Sequence, residues 1–142
     1  MNPATDEIVC AVTKQGDDVL HWAEPDRPGK TFTPELTHKL ANYLADDGHV
    51  IVSFNGLGFD LRFLCEKLAN AKLKRKVATA ALYRHADIFY CFLTSQGFNT
   101  SLSSLLSEAD FAKPMTGKDA AERVSVKQKY LAFFKFFFYG IC

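Results

Sequence analysis

The stretch "HVIVSFNGLGFDLRFL", His49 to Leu64, decides how the rest of the chain is read. Its opening "HVIVSF" is a short, largely apolar run, the signature of a strand covered on both faces. Asn55, Gly56 and Gly58 then supply turn residues, and Phe59, Phe63, Leu64 and Leu68 recur at helical spacing beyond them. A strand passing into a helix across glycines places backbone N–H groups and a helix N-terminus at the carboxyl end of a sheet. Ligands of open α/β folds bind there. Gly56 and Gly58 tolerate backbone angles closed to other residues and let a ligand come close. Asp60 falls in the first helical turn, where the helix dipole favours its charged form, which suits a cation-binding carboxylate. Phe59 beside it offers a flat apolar surface for a base or sugar. The same residues, read alone, also fit an Asp that merely caps a helix after an Asn-Gly turn.

Outward from this corner the elements alternate. "EIVCAVT" (Glu7 to Thr13) and "VLHWA" (Val19 to Ala23) read as two strands joined through the turn residues of "KQGDD", forming a hairpin. "EPDRPGK" reads as a loop. Thr33 is an expected N-cap with Pro34 in the first helical position, and Leu36, Leu40, Tyr43 and Leu44 mark the helix that "DDG" ends. Downstream, the basic cluster "KLKRK" (Lys72 to Lys76) lies near the end of the corner's helix. "HADIFYCFL" is expected to begin extended and continue as a helix. "SLSSLLSEA" and "TGKDAAERV" read as two short helices, broken at Lys113-Pro114. This alternation predicts an α/β layer architecture.

The chain has 142 residues, 48% hydrophobic and 23% charged, enough for one domain with a core. A net charge of +1 advertises no polyanion or membrane globally, so such a partner must be read from local clusters. Cys10, Cys65, Cys91 and Cys142 form no C-x-x-C pair and follow no signal peptide, which predicts reduced cysteines and a cytoplasmic setting. His21, His38, His49 and His85 are scattered singly and read as solvated or turn histidines. The serines show no G-x-S-x-G. Trp22 reads as core or sheet surface. The "KLKRK" cluster is a solvated helix end or a set of phosphate contacts. No apolar run reaches the ~20 residues of a membrane-spanning helix. The tail "YLAFFKFFFYGIC" (Tyr130 to Cys142) holds five phenylalanines interrupted by Lys135, without clean helical or strand alternation. It reads as a last core element or an irregular end, with an interfacial anchor as the sharper alternative.

"SFNGLGFDLRFL" resembles the second motif of the DEDD-type 3′–5′ exonucleases of the ribonuclease H-like fold. It is nearest to the branch similar to family B polymerase proofreading domains, with a pattern close to N-G-x-x-F-D-x-x-F/Y-L. Three further matches follow in order. "RHADIFYCF" is similar to an H-x-D-I segment, "SLSSLL" to an S-L-x-x-L helix, and "MTGKDAAE" to an M-x-G-x-x-A stretch. The resemblance covers roughly positions 1 to 123. It implies a three-layer mixed sheet flanked by helices, and four carboxylates holding two Mg²⁺ or Mn²⁺ ions roughly 4 Å apart to hydrolyse a phosphodiester. Carried over by motif, Asp60 is the catalytic, metal-ligating aspartate. Asn55, Gly56 and Phe59 are expected to meet the terminal nucleotide of a single-stranded DNA or RNA 3′ end. Asp87 is expected on the substrate side, or in a structural hydrogen bond.

The family's D-x-E-T-x-G first motif has no counterpart. Asp6 and Glu7 are adjacent, and neighbouring side chains on an extended segment point to opposite faces. The late Asp with a nearby Tyr or His is missing too. The reading is therefore a partial ribonuclease H-like exonuclease domain over residues 1–124 and a divergent Phe-rich tail over 125–142. The first strand, normally central to the sheet, and the last helix are expected to be lacking. One of four metal carboxylates is identifiable, so weak or absent metal binding and little or no activity are expected. A non-catalytic nucleic-acid- or protein-binding remnant is the alternative, and a small membrane-associated protein is a third, weaker reading.

Overall fold

Gly16 adopts φ +57°, and the two-residue turn it opens with Asp17 folds β1 (Glu7–Gln15) back onto β2 (Asp18–Trp22) as an antiparallel hairpin. A positive φ at the first turn position is inexpensive for glycine and matches the twist of the paired strands. A bulge between Ile8 and Cys10 adds a residue to β1, so Ile8 and Ala11, three apart, both reach the core. Trp22 donates from Nε1 to Thr13 Oγ1 at 3.0 Å across the hairpin and stacks, tilted, on Tyr43 at 5.3 Å. The computed structural model describes residues 7–24, 30–108 and 131–139. Asp6, most of the "EPDRPGK" loop, the break at Lys113-Pro114, the "TGKDAAERV" helix and Cys142 lie outside them.

Thr33 caps α1 (Pro34–Leu44) as its sequence predicts, its side chain accepting from Leu36 N–H, with Pro34 in the first turn. Thr37, Leu40, Ala41 and Leu44 turn to the core. β3 (Val50–Ser53) buries Ile51 and Ser53 and leaves Val50 and Val52 half-buried, so only one of its faces is closed completely. The helical stretch after the corner is two helices, not one: α2 (Asp60–Lys67) and α3 (Ala71–Tyr83). Leu68 is extended, and the Asn70 side chain accepts from Lys72 N–H and Leu73 N–H, starting a new helix. "KLKRK" therefore occupies the first turns of α3 rather than the end of α2. β4 (His85–Asp87) runs parallel to β3, completing a crossover unit, and passes directly into α4 (Ile88–Gln96), which Gly97 ends at φ +75°. α5 (Leu102–Glu108) follows.

The Phe-rich tail is part of the sheet. β5 (Leu131–Tyr139) lies parallel to β1 and antiparallel to β3, giving the order β2-β1-β5-β3-β4. Residues 131–139 are thus the central strand of a mixed sheet, where the sequence reading sets 125–142 apart as a tail. A run that is apolar apart from Lys135 has no clear period, and central strands are commonly built from runs of that composition. α1, α2 and α3 pack on one another, and with Ile8, Ala11 and Ile51 they enclose the core around Leu44, Phe63, Leu64 and Val77. The protein is a mixed α/β fold with a small mixed sheet flanked by helices. Among the described residues no helix is long and apolar enough to cross a membrane.

Candidate functional site

The corner between β3 and α2 is held by side chains from β3 and β4. Asn55 adopts φ +61°, a left-handed conformation that asparagine tolerates better than most residues. Its N–H donates to Asp87 Oδ1 at 2.7 Å, and Leu57 N–H donates to Asp87 Oδ2 at 2.9 Å. Asp87 Oδ1 also accepts from Phe89 N–H at 3.2 Å, capping α4. Asp87 is buried, and both its oxygens are engaged by backbone. It is a clamp for the corner, the structural hydrogen bond that the sequence reading gives as one of its two alternatives for Asp87.

Ser53 Oγ forms the second clamp, accepting from Gly56 N–H at 3.1 Å and pairing with His85 Nε2 at 2.7 Å. A Cβ at Gly56 would stand 2.1 Å from Ser53 Oγ, and one at Gly58 would stand 2.5 Å from Asn55 Oδ1. Gly56 is required by the close approach of both Oγ and Cβ of Ser53, and at Gly58 the obstacle is the end of the Asn55 side chain, where the sequence suggests room for a ligand. Gly56 is buried, while Gly58 and Leu57 remain exposed. Phe59 packs against the core and lies 6.1 Å from the Phe63 ring, so its face is partly used in packing. Phe54, Phe89 and Tyr90 form an edge-to-face aromatic set beside the corner, at 5.6 and 5.4 Å.

Asp60 opens α2 at this corner, 7% exposed. Burial, helped by the nearby Asp87 carboxylate, pushes its pKa up to about 7. A carboxylate at a helix start ordinarily keeps its charge. Here desolvation wins, because no cation stands near enough to offset it among the described residues. Burial also lowers the His85 pKa, against the opposing pull of Asp87, so the imidazole that pairs with Ser53 favours its neutral form.

The structure brings Asn55, Gly56, Asp60 and Asp87 to one corner. It adds Ser53 and Tyr90, to which the sequence reading gives no role, and His85, which that reading takes as a solvated or turn histidine and which is instead half-buried and paired with Ser53. His85 and Asp87 sit at i and i+2 on β4, a two-residue period that puts both on one face, and this is the signal that could have joined them. Among the described residues the donor set does not fit a two-cation centre. Asp60 is the one candidate ligand of the predicted set, Asp87 is saturated by N–H groups, and no group of three His, Cys, Asp or Glu that could hold a metal ion is found among the described residues. Cys10 and Cys65 are free and half-buried with raised thiol pKa values, and Cys91 is free and exposed. Comparison with protein-family models, with curated proteins and with solved structures finds no match for this chain.

Proposed function

We propose that this chain is an exonuclease-like nucleic-acid-binding domain, ribonuclease H-like in descent, that holds single-stranded nucleic acid without hydrolysing it. One observation carries the reading: a buried, uncompensated Asp60 opens a helix at the carboxyl end of β3, within the N-G-x-x-F-D pattern. A fold that needed only a capped helix there would be more stable with an amide or a hydroxyl. A carboxylate kept against its own desolvation is the mark of a group retained for binding or chemistry. The expected lack of turnover rests on ligand number: among the described residues the corner offers one free carboxylate, which does not organise two hydrated divalent ions.

Incubation with 3′-labelled single-stranded DNA and with RNA, in Mg²⁺ and in Mn²⁺, tests this. Retention of the label in a complex without shortening of the strand is expected. Shortening that disappears in Asp60→Ala would show that carboxylates elsewhere in the chain complete a hydrolytic site.

A further inference from the structure

The exposed side of α3 has a chemistry that the corner does not use. Lys72, Lys76, Thr79 and Tyr83 recur at i, i+4, i+7 and i+11, a single stripe along a helix, with Arg75 flanking it. All five are exposed, and Tyr83 is 80% exposed. From Lys72 to Tyr83 the stripe runs about 16 Å. Two clefts adjoin it and share Lys72 and Lys76. One, about 440 Å³, also takes in Arg75, Thr79 and Arg84, and the other, about 270 Å³, is walled by Asn42, Asn70 and His38.

The charges on this face are not spent internally. Lys74, on the other side of α3, pairs with Glu66 at 3.8 Å. Asp47, the one carboxylate among the described residues lining either cleft, is held by Arg84 at 3.2 Å, and Arg84 is itself fixed by the carbonyls of Ala45, Asp46 and His49. Lys72, Arg75 and Lys76 make no ion pair with a described carboxylate. Three free cations in register with an unpacked aromatic ring form a surface for phosphates at one end and an unpaired base at the other.

We propose that α3 is a docking strip for single-stranded nucleic acid, with backbone phosphates on Lys72, Arg75 and Lys76 and a base stacked on Tyr83. The proposal rests on the nucleic-acid reading above and deepens it by naming the path of the strand. Polar cleft walls and an exposed tyrosine ring favour an unpaired strand over a lipid surface, which would call for a broad apolar face.

Fluorescence anisotropy of the full chain with labelled oligodeoxythymidine and oligouridine of about 12 nucleotides, over a range of salt, tests it. The wild-type chain should bind one or both with affinity that falls steeply with salt. Lys72→Ala/Arg75→Ala/Lys76→Ala should weaken binding at least about 10-fold and reduce the log–log salt slope by about 2. Tyr83→Ala should weaken it roughly 5-fold or more without altering the slope. Lys74→Ala and Lys76→Ala remove the same charge from the same helix, and only the second should lose affinity. Circular dichroism of each variant should show the helix content kept, since alanine is the best helix former. Equal binding and equal slope in the triple variant would overturn the α3 path while leaving the nucleic-acid reading in place. Absence of binding to either oligonucleotide would overturn both. Binding to phosphatidylserine vesicles instead of oligonucleotides would also overturn both, in favour of a membrane surface.

Discussion

Asp60 and Asp87 are both buried acids, yet their surroundings assign them opposite parts. Asp87 accepts three backbone N–H groups, and each charge-assisted bond of this kind contributes about 1.5–3 kcal/mol. Asp87→Ala should therefore lose at least about 3 kcal/mol in urea unfolding, because the part-buried N–H groups of Asn55, Leu57 and Phe89 lose their shared acceptor. Asp87→Asn retains one acceptor oxygen and should lose about half as much; equal stability of Asp87→Ala and wild type would remove Asp87 as the corner's clamp. Asp60 instead lowers stability. Its ordinary value of 3.8 is raised to about 7 in the folded chain, so the folded state holds a proton that the unfolded state releases. Below about pH 4 both states are protonated and nothing is lost. Between 4 and 7 stability falls, and above 7 the loss is constant at about 4 kcal/mol. His85 acts in the other direction. Its lowered pKa favours the neutral ring, so its contribution declines as pH falls below the usual histidine range. Asp60 and Asn55 were legible in the sequence as a corner because Asn-Gly and an Asp at a helix start have local signatures. Ser53 and His85 were not, since their pairing spans 32 positions and depends on two parallel strands lying in register.

At the scale of elements, local chemistry made some pieces readable. The Thr33-Pro34 start of α1, the Gly16 turn and the strand-to-helix passage at Asp87 all have short-range causes and form where their residues predict. The break between α2 and α3 depends on one asparagine side chain against two N–H groups, too small a signal to outweigh a continuing apolar spacing. β5 was the least legible, because an apolar run broken by Lys135 alone does not distinguish a strand from a helix. Its place is the most consequential: Phe137 stands in register with Lys14 of β1 on one side and with Val52 of β3 on the other. A proline in a central strand removes a ladder bond and crowds the neighbouring chain. Phe137→Pro should lower the thermal midpoint by well over about 5 °C, on the basis of a loss of ~3 kcal/mol. An unchanged midpoint would show that the sheet holds together without β5.

Across the whole molecule, a net charge of +1 conceals an uneven distribution. Unpaired cations gather on α3, and an uncompensated carboxylate sits at the corner over β3, so composition alone gave no sign of a polyanion partner. The α/β layering was readable because strands and helices alternate; the order of the strands was not, since it depends on a segment at the far end of the chain pairing with β1 and β3. Both halves of the proposed function come back to the carboxylate retained at the corner, and its cost registers in global stability. Thermal unfolding of the wild-type chain and of Asp60→Asn at pH 4 and at pH 8 is the most direct measurement. The variant should unfold several degrees higher than wild type at pH 8, with the gain disappearing at pH 4. A variant no more stable than wild type at pH 8 would mean that Asp60 is solvated or already paired, and the corner would then be a helix cap and nothing more.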